Sequence, residues 1–194
     1  MIGFDDEDGG PATEFQVRET FAYFGRAAYA ASCLEHGLTI ALMKAELMSQ
    51  VAGRARREKK SVSKVEWEAM FDDYMAKHDA LPLGTLIQRF RKVVKTTPAL
   101  DTLLDKALAQ RNFLAHGFFR ERAVSFSHSA GRDEMIAELN AAHDLLWQAD
   151  EAVGAAVEDV LPRIGVNVDE MLAQSEAIIR EQLVAARAKT RRTE

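Results

Sequence analysis

An all-α fold is predicted by three features of this sequence. Glycine and proline are scarce, 11 and 4 in 194 residues, so the chain has few helix-breaking positions. Alanine, leucine, glutamate, lysine and arginine dominate, a balance that favours helices. Apolar residues recur at steps of three and four along most of the chain, and only one short stretch, "AVSFS", alternates in the strand manner. At this length, with 47% hydrophobic residues, the chain fills one core and is too short for two. The expected organisation is an acidic, flexible tail over residues 1–12 and a single helical domain over residues 13–190.

The elements follow from their punctuation. A first long helix is expected from about Thr13, its cap, to Val51, closed by Gly53 and a basic cluster. A shorter helix from about Ser63 to His78 is ended by "DALPLG", and the next runs from Leu83 to Val94. "TTPAL" restarts the chain as a helix from Ala99 to His116. "FRERAVSFSHSAGRD" is the most polar segment and reads as irregular, with a brief extended piece at most. A long helix from about Asp133 to Val160 stops at "LPRIGVN". The last helix, Val168 to Lys189, has a mixed surface suited to packing on the bundle or on a second copy.

Composition also excludes function classes. The start, "MIGFDDEDGGPATEF", is acidic and lacks the basic-then-apolar order of a secretory signal, and no apolar run is long enough to cross a bilayer. A soluble, cytoplasmic protein without membrane partners is expected. Cys33 is the only cysteine, so no internal disulfide or thiolate-rich metal cluster can form; it reads as a small buried hydrophobe. The net charge of -5 argues against non-specific coating of nucleic acid. Local charge still matters: Arg54, Arg56, Arg57, Lys59 and Lys60 form a basic run that reads either as a solvated face or as a loop turned toward RNA phosphates. Asp72 and Asp73 diverge on a helix and read as surface charge rather than as a metal site.

Two apolar stripes are each broken by one charge. Along the first helix, Phe21, Phe24, Ala28, Ala31, Glu35, Leu38, Leu42 and Ala45 follow helix-seam spacing. On the later helix, Leu100, Leu104, Ala107, Arg111, Leu114 and Phe118 do the same. An isolated charge in a packed interior must find a partner, reach water or be neutralised. Pairing Glu35 with Arg111 across two packed helices satisfies this, as does placing both on the wall of one polar cavity. A second apolar line, Tyr29, Cys33, Ile40, Met43 and Leu47, competes with the first as the buried seam.

His116 exceeds what a register-fixing ion pair needs. Five residues beyond Arg111, it is rotated by about 140° on an ideal helix, but at a helix end closed by Gly117 both side chains can face one cleft. Asn112 lies four residues before His116 and is placed to hold one imidazole nitrogen. The trio combines an anion binder, an orienting amide and a group that titrates near neutrality, a set suited to phosphate chemistry. His36, His78, His128 and His143 lack such a context and read as structural or surface residues.

"RNFLAHGFF" in an all-helical chain resembles the HEPN superfamily (higher eukaryotes and prokaryotes nucleotide-binding), whose signature is an arginine, usually a polar residue after it, and a histidine four to six residues further on. Arg111, Asn112 and His116 fill those positions. The opening helix, "AYFGRAAYAASCLEHGL", is also similar to that of the superfamily; the resemblance of architecture spans residues 13–160 and the motif only 111–116. It implies a HEPN-like bundle of about five to six helices and, for many members, a metal-independent endoribonuclease acting as a toxin or phage-defence effector. It further implies that Arg111 stabilises the scissile phosphate and that His116 is general acid or base. Asn112 would position the histidine or contact phosphate. Glu35 would hold Arg111 or favour the protonated imidazole. The partners implied are an RNA substrate and a second copy of the chain, because one chain offers a single motif histidine for two proton transfers; no metal or cofactor is implied. In members silenced by nucleotidyltransfer, a tyrosine stands two positions after the histidine; Phe118 has no hydroxyl to modify, so that toxin–antitoxin control is not implied, nor is a specific protein inhibitor. The competing readings are a non-catalytic HEPN-like dimer that binds nucleotide, RNA or protein, and a helical regulator acting through its C-terminal helix.

Overall fold

The computed structural model describes residues 11–165 except 61 and 79, together with residue 180. The first helix, α1 (Pro11–Met43), passes through a π-helical turn at Lys44–Met48 directly into α2 (Ser49–Glu58). The expected helix therefore begins slightly earlier, with Thr13 inside it rather than capping it, and ends later. Gly53 does not stop it: the break falls at Lys59, whose φ of 51° is the left-handed conformation that closes a helix. Arg54, Arg56 and Arg57 accordingly lie in the last turns of a helix, and only Lys59 and Lys60 fall beyond its end.

Three predicted helices keep nearly their expected bounds: α3 (Lys64–His78), α4 (Leu83–Val93) and α5 (Pro98–His116). Thr97 caps α5 by accepting the Leu100 N–H at 3.2 Å, ahead of Pro98 in the first turn. The expected irregular stretch is instead helical. It forms two single turns, α6 (Phe118–Glu121) and α7 (Ala123–Phe126), and "AVSFS" is not extended. Its phenylalanines explain this. Phe119 and Phe126 pack on Phe21, with ring centroids 5.5 and 5.6 Å from it, and curling the segment lets both reach the same helix. Helix α8 (Ser129–Ala156) starts earlier than predicted because the His128 side chain caps it, Nδ1 accepting from Gly131 N–H at 3.0 Å. A short turn, α9 (Val160–Arg163), follows. No strand occurs among the described residues, and no helix among them is long and apolar enough to cross a membrane. Apart from Arg180, the predicted C-terminal helix lies outside the described residues.

The core is built on α1 and α8. These run parallel: Gln16 bonds Asp133 near the start of both, and Gly37 meets Asp150 toward their C-terminal ends. Helix α8 buries Met135, Leu139, Ala142, Leu146, Ala149 and Val153, alternating steps of four and three. Helix α1 answers with Ala27, Ala30, Ala31, Leu34, Leu38, Ala41 and Leu42, whose many alanines allow close approach. Ala31, Leu38 and Leu42 of the first predicted stripe belong to this seam, which is rotated toward Ala27, Ala30, Leu34 and Ala41 and leaves Phe21 and Tyr29 exposed and Cys33 half-buried rather than core. At Gly37 the approach is extreme, since a Cβ there would fall 1.9 Å from Asp150 Oδ1. Gly131 is tighter in consequence, because its Cβ would meet the Ser125 backbone oxygen at 2.2 Å, and backbone cannot swing aside.

Helix α5 runs antiparallel to α1, with Phe118 near Phe24 and Arg111 beside Glu35. Its stripe is as predicted: Leu100, Leu104, Ala107, Leu114 and, just past the helix, Phe118 are buried, and Arg111 is the half-exposed exception. Fully burying a leucine of this kind contributes about 1.5–3 kcal/mol.

Candidate functional site

Glu35 and Arg111 meet across α1 and α5. Arg111 Nε donates to Glu35 Oε1 at 2.9 Å and Nη2 approaches the same oxygen at 2.9 Å. The side chains are 30% and 31% exposed, so the pair lies at the rim of the core. Of the two arrangements the stripes allowed, the cross-helix ion pair is the one found. Partial exposure makes it affordable, since water still solvates both charges. Both hydrogen-bonding groups spent by the arginine converge on one carboxylate oxygen, and Nη1 is directed instead to Asn112 Oδ1 at 3.4 Å.

That last contact differs from expectation. Asn112 faces Arg111 rather than holding His116, and both Asn112 and His116 are exposed. Among the described residues His116 has no side-chain hydrogen bond or ion pair, and neither Glu35 nor Asn112 is bonded to it. Helix geometry is the reason: Asn112 and His116 share a face in solvent, where nothing holds two short side chains together. Gly117 follows, buried, with φ of -124° rather than the left-handed value of a typical glycine stop. Its role is spatial, because a Cβ would lie 3.0 Å from both Phe113 and Glu121. The chain turns there into α6 and drives Phe118 into the core, 1% exposed.

The basic run does not join this site. Arg54 is committed to Glu58 at 3.1 Å and Glu66 at 2.8 Å, and Arg56, Arg57, Lys59 and Lys60 are exposed at the end of α2. They belong to the far half of the first helical run, more than five turns beyond Glu35 by sequence. Asp72 and Asp73 are exposed, and among the described residues no group of three or more His, Cys, Asp or Glu side chains is placed to hold a metal ion. His36 and His128 are exposed, and His143 stacks on Trp147 at 6.1 Å.

Two polar constellations lie outside both stripes. One is Arg132, fully buried, with Nη1 donating to Phe126 O at 3.1 Å and Nε and Nη2 to Gln16 Oε1 at 3.3 and 3.2 Å. It ties α7 and α1 to the first turn of α8. The other is Glu46, carried on the π-helical turn. Its two oxygens accept from Arg89 Nε at 2.9 Å and Nη2 at 2.7 Å, and Tyr74 Oη donates to it at 2.7 Å. Burial pushes the Glu46 carboxyl up, but the hydrogen bonds from Arg89 and Tyr74 outweigh it and hold the group below its ordinary 4.5. Burial and the Glu46 bond together raise the Tyr74 phenol. The signal was present: Glu46 interrupts "IALMKAELM" and Arg89 interrupts "LIQRF", the same opposite-sign rule that joined Glu35 to Arg111.

No protein-family model matches the chain, and neither a curated protein nor a solved structure shows significant similarity to it.

Proposed function

We propose that the chain is a metal-independent endoribonuclease of the HEPN type, with Arg111 binding the scissile phosphate and His116 acting as general acid or base. The observation that supports this reading is how Arg111 is held. One carboxylate oxygen of Glu35 anchors it from the core side, while the guanidinium stays 30% exposed beside exposed Asn112 and His116. A fixed, solvent-facing guanidinium suits a charge that develops during reaction, since its donors need no reorganisation.

In this reading His116 takes the proton from the RNA 2′-hydroxyl, whose oxygen attacks the adjacent phosphorus. Arg111 stabilises the added negative charge, and a protonated imidazole delivers a proton to the departing 5′-oxygen, leaving a 2′,3′-cyclic phosphate. In an in-line displacement the attacking 2′-oxygen and the departing 5′-oxygen lie on opposite sides of the phosphorus, so one imidazole does not reach both at once. A second copy of the chain, related by a two-fold axis, supplies the other His116. We infer that such a nuclease serves as a toxin or defence effector acting on RNA in the cytoplasm.

The Glu35 ion pair also favours a second reading, a non-catalytic HEPN-like dimer in which Arg111 is a structural mate of Glu35. One experiment separates them. Wild type and the Arg111→Ala and His116→Ala variants are incubated with mixed single-stranded and structured RNA in EDTA, and the product ends are analysed. Cleavage by wild type alone, with cyclic phosphate ends and unchanged circular dichroism in the variants, is the expected result. No cleavage by folded, dimeric wild type overturns the nuclease reading in favour of the binding dimer.

A further inference from the structure

The start of α5 and the end of α8 leave a groove of ≈ 680 Å³ between them. Its walls are mostly apolar, with Ala99 and Leu103 on one side and Leu145, Ala152, Ala155 and Ala156 on the other. Among the described residues Lys106 is the one charge in its lining, and it forms no ion pair. Asp144 and Glu151 lie farther out on α8, Asp144 beside His143 and Glu151 exposed.

The chain leaves α9 at one end of this groove. Ala156 lines the groove and also lines a second cleft together with Ile164. Gly165 follows with a φ of 81°, the left-handed conformation that ends a helix and redirects the backbone. Beyond it the sequence continues to Glu194, and of those residues only Arg180 is described, helical and exposed. Asn167, with Glu170 three residues on, is a helix-start signal. Val168, Leu172, Ser175, Ile179, Leu183 and Ala186 then recur at steps of three and four, an apolar stripe broken only by a serine.

The groove and the stripe match in length. Ala156 to Leu145 and Val168 to Ile179 each span about 16 Å of helix. We propose that residues 168–189 of the same chain cover this groove as a helix antiparallel to α8 and parallel to α5, with the stripe inward. In that direction an ideal helix turns its Asp169 and Glu176 flank toward α5 and its Met171 and Ile178 flank toward α8. Glu176 stands eight residues past Val168 and Lys106 seven past Ala99, so the carboxylate comes level with the unpaired ammonium. The own chain is favoured over a second copy because two residues tether Val168 to Gly165 at the groove, whereas a separate molecule loses translational freedom to reach it. The site shares no residue with Arg111 or His116 and does not depend on the nuclease reading.

A distance measurement tests this on the full-length protein. A chain carrying Cys33→Ser, Glu151→Cys and Ala177→Cys is spin-labelled at its two thiols, and their separation is read by double electron–electron resonance. Packed helices lie about 8–10 Å apart, so a single narrow distance below about 25 Å is expected. It should persist when labelled chains are mixed with excess unlabelled protein. Ile179→Asp places a charge in the stripe and should replace the narrow distance with a broad distribution, while circular dichroism shows the remaining bundle folded. A broad or long distribution in the parent protein overturns the proposal. So does a short distance that vanishes on dilution, which assigns the groove to a second copy, or one that survives Ile179→Asp unchanged.

Discussion

The first helical run carries two glutamates eleven residues apart, Glu35 and Glu46, and each meets an arginine from another helix. The two pairs differ in how completely the carboxylate is used. Glu46 spends both oxygens on Arg89 and takes a third bond from Tyr74, on a side chain 22% exposed. Glu35 receives Arg111 on Oε1 alone. A carboxylate satisfied on both oxygens works as a clamp between helices. A carboxylate engaged at one oxygen ties its arginine less completely, and Arg111 differs from Arg89 in standing beside exposed Asn112 and His116. The same residue pair thus reads as structural clamp or functional anchor according to its remaining partners.

The sharpest way to break this contrast is through stability. Arg89→Met strips Glu46 of its charged partner and should lower unfolding free energy by about 1–2 kcal/mol, less than for a fully buried pair because Arg89 is 42% exposed. Arg111→Met should cost at most about 1 kcal/mol in the same urea titration while eliminating the proposed cleavage. A larger loss at Arg111 than at Arg89 would reverse the assignment of clamp and anchor. Double-mutant cycles sharpen it further: the Glu46–Arg89 coupling energy should exceed that of Glu35–Arg111.

Acid should act on the clamp. The folded Glu46 carboxyl sits below its ordinary 4.5, so its contribution is present above that value and disappears as pH falls through the lower folded value. Wild type should therefore lose urea resistance more steeply in this acidic range than Glu46→Gln, and equal slopes would show that the carboxylate gains nothing from its partners. The smallest effect is expected at His116. Exposed and unpartnered among the described residues, it should tolerate alanine within about 0.5 kcal/mol by thermal melting, whatever happens to RNA cleavage.

The pattern of failure along the chain is physical. Periodicity placed α3, α4 and α5 closely because each has local stop signals at both ends. It missed α6 and α7 because their helical turns are imposed by Phe119 and Phe126 reaching Phe21, a contact nearly a hundred residues away in sequence. It misplaced the α1 seam by a fraction of a turn because alanine carries too weak a signal to reveal that Ala27, Ala30 and Ala41 are the buried face. At the candidate site, the Glu35–Arg111 pairing was legible, since two opposite charges in two apolar stripes have few affordable arrangements. The orientation of Asn112 was not, because helical spacing states which residues share a face and not which exposed side chains bond.

The sequence alone determined the helical class, the α5 stripe and the need for its two interrupting charges to be compensated; these follow from composition, period and the cost of burying an ion. Tertiary structure decided which carboxylate oxygen each arginine uses, that the basic run ends a helix away from Arg111, and that His78 stacks on Tyr74 with Nε2 unpaired. Those outcomes depend on distances and directions between helices, which no local pattern encodes.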